Sequence, residues 1–578
     1  MRRFFIVIFI LFLIVSCRGS TNQFIRTLPT YLPTAPSPTH TPVSPSFTST
    51  KSPTITPSLP PTTSTPEASA TPTPGYDTFK VLYHPDDHLY VGDQVSFEVI
   101  SPTGLDLKDA KLQIQIDPPN GVILGPVSFN GWGIQGREEA TLLWSWDTSE
   151  QTAGTHTLDF SIQPHDYSWT EQVTLLPASD MPLHQAVATW ESIQSQCCTI
   201  FYITNTASER DLATLTAEID EQANLSIEEM DANFNQPITI TVLPRLLGHG
   251  GFASNEISVS YLDRNYAANS WSLVVHHEMI HMIDGQLGGD FRPTMFLEGL
   301  AVYMAGGHYK SEPLMPRAAA LLPDYLDWYI PLDTLSNDFY ASQHEIGYLE
   351  GASLIEYMVE TYGWEAFSAF YRDIHMSEGQ SQSDAIDSAL KAHFSISFAE
   401  LEQDYLSALA SRTDTSQWVD DVRLSVTYFD TLRHYQQLLD PSAYFRTAWL
   451  MDNKTMRERG IVADYLRHPS TTENLALETM FITASQHMTR QQYTQALQTL
   501  DEISSVMDAI DDGHREPFSV SLLATDYLTI ASAVLEKGYE VQSISIKGDS
   551  ASAQVTEASG SKPEILLLTR TADGWQIP

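Results

Sequence analysis

The chain has 578 residues, too many for one ordinary core, so several domains are expected. Lys and Arg number 31 against 72 Asp and Glu, a formal net charge of −41; a field of that sign repels nucleic acid and anionic lipid, and no nucleic-acid-binding module is visible. Three cysteines, at positions 17, 197 and 198, exclude a disulfide framework as the source of stability, which must come from apolar cores.

At the amino end Arg2 and Arg3 precede an apolar run from Phe4 to Val15, too short to span a bilayer and of the form of a secretory leader. The run ends Ile14-Val15-Ser16-Cys17, which resembles the lipobox of bacterial lipoproteins. The resemblance implies that residues 1–17 are a signal peptide, that Cys17 becomes lipid-modified, and that the exported chain is anchored to the membrane through it, facing the extracellular or periplasmic side. A plain signal peptide or a short anchor helix is the alternative. Residues 18–76 are dominated by Pro, Ser and Thr and cannot bury a core. The stretch from Thr21 to about Pro74, roughly fifty residues extended at about 3.1 Å each, reaches on the order of 150 Å.

Over 77–180, short alternating runs such as Gln94-Val-Ser-Phe-Glu-Val-Ile and Lys111-Leu-Gln-Ile-Gln-Ile are separated by turn residues. The spacing predicts an all-β sandwich of the immunoglobulin-like kind, acting as a spacer. From 181 to 412 the pattern is α+β: strands at Thr199 to Ile203, Ile238 to Leu243 and from Ile257, a helix over Glu209 to Ala232, then helices almost to Ser411. Cys197 and Cys198 open the first of these strands and are expected as buried core cysteines rather than a redox pair. Residues 413–488 read as a helical segment. Residues 489–578 read as a small α+β domain ending in strands, a close that resembles NTF2-like domains.

The stretch that carries chemistry is Val274-Val-His-His-Glu-Met-Ile-His-Met-Ile-Asp284, on a helix capped by Asn269 or Ser270 and expected to stop at Gly285. His277 and His281, four apart, lie one above the other on one face. Two imidazoles so placed bind one zinc ion, and Glu278, one step around, reaches a water in the open coordination position. His276 is five residues from His281 and points to another face.

A catalytic zinc needs a third protein ligand. A metzincin-type site would have Gly at 284 and His at 287; Asp284 and Leu287 exclude it. Downstream, Phe296-Leu-Glu-Gly-Leu-Ala-Val-Tyr303 lies on a helix opened near Pro293 and closed by Gly306-Gly307. Glu298 shares a face with Ala301, Val302 and Ala305, small enough for this helix to pack closely on the first. A carboxylate on such a face is costly unless paired or bound to metal. Asp290 as ligand, or Glu298 as an ordinary surface acid, are the alternatives.

His-Glu-x-x-His followed by Glu-Gly-Leu-Ala resembles the gluzincins, the thermolysin-like metallopeptidases, and especially the bacterial peptidase MA-like domains. That resemblance spans roughly residues 190 to 410. It implies a small sheet beside a helical lobe, zinc held by His277, His281 and Glu298, Glu278 as general base, and a peptide or protein substrate. In the aminopeptidase branch a Tyr-x-x-Gly supplies the tyrosine that stabilises the oxyanion, and Tyr348-Leu-Glu-Gly351 matches it, with Tyr340 as nearest competitor. The Gly-x-Met-Glu-Asn of that branch, whose glutamate grips the substrate amine, is not matched by Gly251-Phe-Ala-Ser-Asn-Glu256, so exopeptidase action is not supported. The strand from Ile257 to Tyr261 is expected to offer an edge to extended peptide. The alternative from another class is a surface binding lipoprotein that uses a zinc-stabilised peptidase-like scaffold without catalysis.

Overall fold

A computed structural model describes residues 77–577, apart from 249, 559 and 573. The leader, Cys17 and the Pro/Ser/Thr-rich stretch lie outside the described residues. The architecture is multidomain, with several sheets and a large helical portion. Among the described residues no helix is long and apolar enough to cross a membrane.

The alternating runs of the first part form strands Gln94–Ile100, Lys111–Ile116, Arg137–Asp147, Gly154–Gln163 and Tyr167–Leu176. They divide between a four-stranded and a five-stranded sheet. Because side chains alternate along a strand, Val95, Phe97 and Val99 of one sheet meet Leu112, Ile114 and Ile116 of the other in one core, with Trp146 and Phe160. The sandwich also packs on the rest of the chain. The other face of strand Gln94–Ile100 is also buried, Ser96 and Glu98 being fully covered. Its neighbour His84 stacks on Trp449 at 3.8 Å, and Gly133 lies against the backbone of Arg446 and Thr447. Polar residues that alternation assigns to solvent are therefore covered by the rest of the chain.

The central part is a five-stranded sheet in the order Trp190–Gln194, Cys198–Ile203, Ile238–Leu243, Ile257–Ser260, Gly251–Ala253. The three middle strands run parallel, and both outer pairings are antiparallel. The expected edge at Ile257 to Tyr261 is corrected here: strand Ile257–Ser260 pairs on both sides, and the edge is the short strand Gly251–Ala253, too brief to show a period. Cys197 and Cys198 are joined in a disulfide rather than being thiols in the core; between adjacent residues it closes no loop, so stability still rests on burial. Helix Leu212–Glu229 and the motif helix Trp271–Leu287 share a core with this sheet through Leu215, Ile219, Val275 and Met279. The motif helix passes through the predicted stop at Gly285 and ends at Gly288, whose φ of 88° suits glycine.

The helical lobe contains the acid helix Thr294–Ala305 and the tyrosine helix His344–Tyr362. Gly306, at φ 73°, closes the acid helix as the sequence suggests. Its tightest crossing is with the tyrosine helix: a Cβ on Gly299 would stand 2.6 Å from the carbonyl carbon of Gly351. The acid helix also packs on the motif helix, Ala301 and Val302 sharing a core with Ile280 and Ile283, while its closest backbone approach is at the glycines of Glu-Gly and Tyr-x-x-Gly. Beyond the lobe, helices Val419–Leu439, Thr472–Thr489, Tyr493–Asp511 and Leu522–Leu535 and the four strands from Glu540 to Gln576 share one core. That core crosses the division expected at residue 488, because helix Thr472–Thr489 supplies Met480, Phe481 and Ala484 to the same core as Val541 and Ile544.

Candidate metal centre

The motif helix turns His277, Glu278 and His281 toward the acid helix. His281 Nε2 lies 3.0 Å from His277 Nε2, and each is 3.4 Å from Glu298 Oε2. Tetrahedral zinc with bonds of about 2.0–2.1 Å requires donors about 3.3 Å apart. These three atoms have that spacing and the donor chemistry zinc takes, so the residues fit the ion. Asp290 does not compete, being 82% exposed and paired with His375 at 2.9 Å. His276 faces away and pins the helix, with Nδ1 3.0 Å from Gln222 Oε1 and Nε2 2.8 Å from Glu229 Oε2.

The electrostatics of the pocket point the same way. Burial alone would raise the Glu298 carboxyl, but the charge of His281 and the hydrogen bonds of both imidazoles hold it well below the usual range. For His281, burial is outweighed by Glu298, with help from Glu278 and Asp284, which lift it to about 9. His277 is lowered by burial to about 4. The cluster is therefore built to hold one positive charge among a carboxylate and two imidazoles. Glu278, not drawn into that contact, is raised by burial to about 8.

Glu278 reaches toward the edge strand. A Cβ on Gly251 would lie 2.4 Å from Val274 Cγ1 and 2.6 Å from Glu278 Oε1, so the absence of a side chain here lets the motif helix and its carboxylate pack close beside this strand. Glu256, the nearest acid to the unmatched aminopeptidase motif, is committed elsewhere: Arg457 Nη2 donates to it at 2.6 Å.

The two tyrosines separate by contact. Tyr340 Oη donates to Glu298 Oε1 at 2.8 Å, a hydrogen bond to the oxygen turned away from the histidines. Tyr348 sits with its ring 6.4 Å from His277, stacked on His308 at 4.1 Å, and its hydroxyl also interacts with Glu298. Burial, then the Glu298 charge, raise both phenols well above their ordinary value, so both stay protonated and can donate. Sequence reasoning weighed Tyr340 only as a rival to Tyr348 and missed it as a partner of Glu298; the 42 residues between them leave no local signal. It also missed Asp284 as an anchor. That buried carboxylate holds Arg292 at 2.9 Å and Arg372 at 2.6 Å, tying the end of the motif helix to the loop that follows it and to the end of helix Trp364–Arg372.

No family model matches the chain, and no curated protein does. A solved structure described as an aminopeptidase N family protein from Idiomarina loihiensis aligns with 59% of this chain and 78% of its own, at 12% identity and a TM-score of 0.27. A likeness that slight carries no argument about function, which rests on the site itself.

Proposed function

We propose that the protein is an exported zinc metallopeptidase that hydrolyses peptide bonds. The observation that carries this is the convergence of His277 Nε2, His281 Nε2 and Glu298 Oε2 at 3.0 to 3.4 Å beside the buried carboxylate of Glu278.

In this reading His277, His281 and Glu298 hold zinc, and Tyr340 orients Glu298 from behind, the outer-shell contact that ligating carboxylates commonly have. Zinc supplies Lewis acidity and lowers the pKa of a bound water to about 7. Glu278 takes the proton from the attacking water and returns it to the leaving amine. Its carboxyl is buried beside the site, and the charge of a bound cation would hold it ionised and able to accept a proton. The protonated Tyr348 hydroxyl donates to the oxyanion, a contact whose loss commonly costs about 2.7–4 kcal/mol in the transition state. The free side of the edge strand Gly251–Ala253 supports pairing with extended peptide, which would bring a substrate carbonyl past Glu278. Glu256 is engaged by Arg457 at 2.6 Å and so does not present a free carboxylate to a substrate amine.

The test is zinc per chain by elemental analysis beside cleavage of unfolded casein. Wild type is expected to carry zinc and cleave; Glu278→Gln is expected to keep the zinc and lose 10²–10⁴-fold in kcat, roughly the range for a general base. Equal cleavage by both would sink the mechanism. Zinc in both with cleavage by neither would favour the binding lipoprotein. Anchoring through Cys17 belongs to the same proposal, and Cys17→Ser is expected to move the protein from the membrane fraction to the soluble one.

A further inference from the structure

A second set of metal-type donors stands beside Tyr348. His308, His344 and Glu345 each offer one ligand atom, and the three atoms lie within 4.8 Å of one another. His308 Nδ1 is 3.0 Å from Glu345 Oε2, with the two side chains only 8% and 5% exposed. The His308 ring is 5.5 Å from that of His344 and 6.4 Å from that of His277. The donor set, two imidazoles and one carboxylate, repeats that of the first site.

The fold explains the convergence. His308 follows the Gly306-Gly307 turn that ends the acid helix, and His344 and Glu345 open the tyrosine helix that crosses it. The same pair of helices therefore contributes to both groups.

The surrounding charges decide what the cluster can hold. Arg317 pairs with Glu312 and Asp421, and Lys310 with Asp421, while the charges of Arg317 and Arg433 both reach Glu345, so its carboxylate is shared between these cations and the imidazoles. The guanidinium groups of Arg433 and Arg446 lie close enough to His344 to disfavour positive charge there. A cation at this cluster is therefore held more weakly than one at the first site, which has Glu298 between two histidines and the Glu278 carboxylate nearby.

We infer that His308, His344 and Glu345 bind a second divalent cation of the zinc type. Both imidazoles lie against Tyr348, at 4.1 Å and 4.5 Å between ring centres, so an ion joining them clamps the tyrosine between the two groups. The inference goes beyond the peptidase reading and does not depend on turnover.

The experiment is a zinc titration of the full chain after chelator dialysis, with bound metal counted by mass spectrometry. Wild type is expected to bind two equivalents, the second leaving first as chelator is added. His308→Gln and the near-isosteric Glu345→Gln are each expected to bind one, and His281→Gln to lose only the tighter one. One equivalent in wild type overturns the inference whatever the variants do, and so do two equivalents in the His308 and Glu345 variants. The peptidase reading fails separately, if His281→Gln loses no zinc. Circular dichroism confirms that each variant counted is folded.

Discussion

Two buried polar clusters in this molecule are built on opposite plans. At the seam between the sandwich and the rest of the chain, the buried cations Arg467 and Arg245 each face a carboxylate. Arg467 makes a two-pronged contact with Asp93 at 2.7 and 2.6 Å. The almost fully buried Arg245 donates to the Asp464 carbonyl at 3.0 Å and faces Asp440 at 3.6 Å, while Trp144 Nε1 donates to the Asp464 carboxylate at 3.0 Å. At the His277–His281–Glu298 cluster the same currency of charge is left open: among the described residues no Arg or Lys pairs with Glu298 or Glu278. The seam is closed because its task is to hold two parts in register, and buried ion pairs serve that only when complete. The second is an arrangement that costs stability by itself and that a bound cation would complete, the usual mark of a functional site.

The largest expected effect comes from opening the closed cluster. Asp93→Ala strands the Arg467 charge in a buried seam, and breaking such a pair typically costs about 3–5 kcal/mol. Urea unfolding should show the loss, while zinc content in the folded protein stays at the wild-type level; a fall in zinc would mean that the two clusters are coupled. Next is Gly251→Ala at the edge strand, where the new methyl group meets both Val274 Cγ1 and the Glu278 carboxylate and pushes the base from its place. Misplacing a reacting group by about 1 Å costs on the order of 100-fold in rate. Cleavage should fall by about that much with zinc retained, and an unchanged rate would remove Glu278 from the mechanism as drawn. Tyr340→Phe is expected to act on the metal and not on the fold, weakening zinc affinity about 10–100-fold as outer-shell changes do, read in a competition with a chromogenic chelator. The smallest effect is that of the cation on the fold itself: at three times the dissociation constant of the first site, zinc should add about 0.8 kcal/mol to the unfolding free energy of wild type and less to His281→Gln, which keeps only the weaker cluster.

Much of the local structure was legible beforehand. Strands Gln94–Ile100 and Lys111–Ile116 match the alternating runs residue for residue, since alternation is enforced by the pleat of the strand alone. His277, Glu278 and His281 are brought together by one turn of helix, which spacing reveals without any tertiary information. Glu298 was reached by arguing that a carboxylate on an apolar helix face needs a partner, and the structure places it 3.4 Å from both histidines. The edge strand, the helix end at Gly288 and the seam were not legible. Strand Gly251–Ala253 is three residues long and cannot show a period, and the outward polar residues of a sheet look alike whether they meet water or another part of the chain.

What the sequence by itself determined is therefore the chemistry on offer: a pair of histidines and a base on one helix, an acid on the next, and the alternation and helical periods of the elements around them. Those signals are short-range, set by backbone geometry within a few residues. Tertiary structure alone decided which oxygen of Glu298 faces the histidines and which meets Tyr340, that Gly299 and Gly351 bring the acid and tyrosine helices together, and that His308 meets Glu345. These contacts join residues 17 to 52 positions apart. They depend on how whole helices pack, and no local pattern in the chain encodes that.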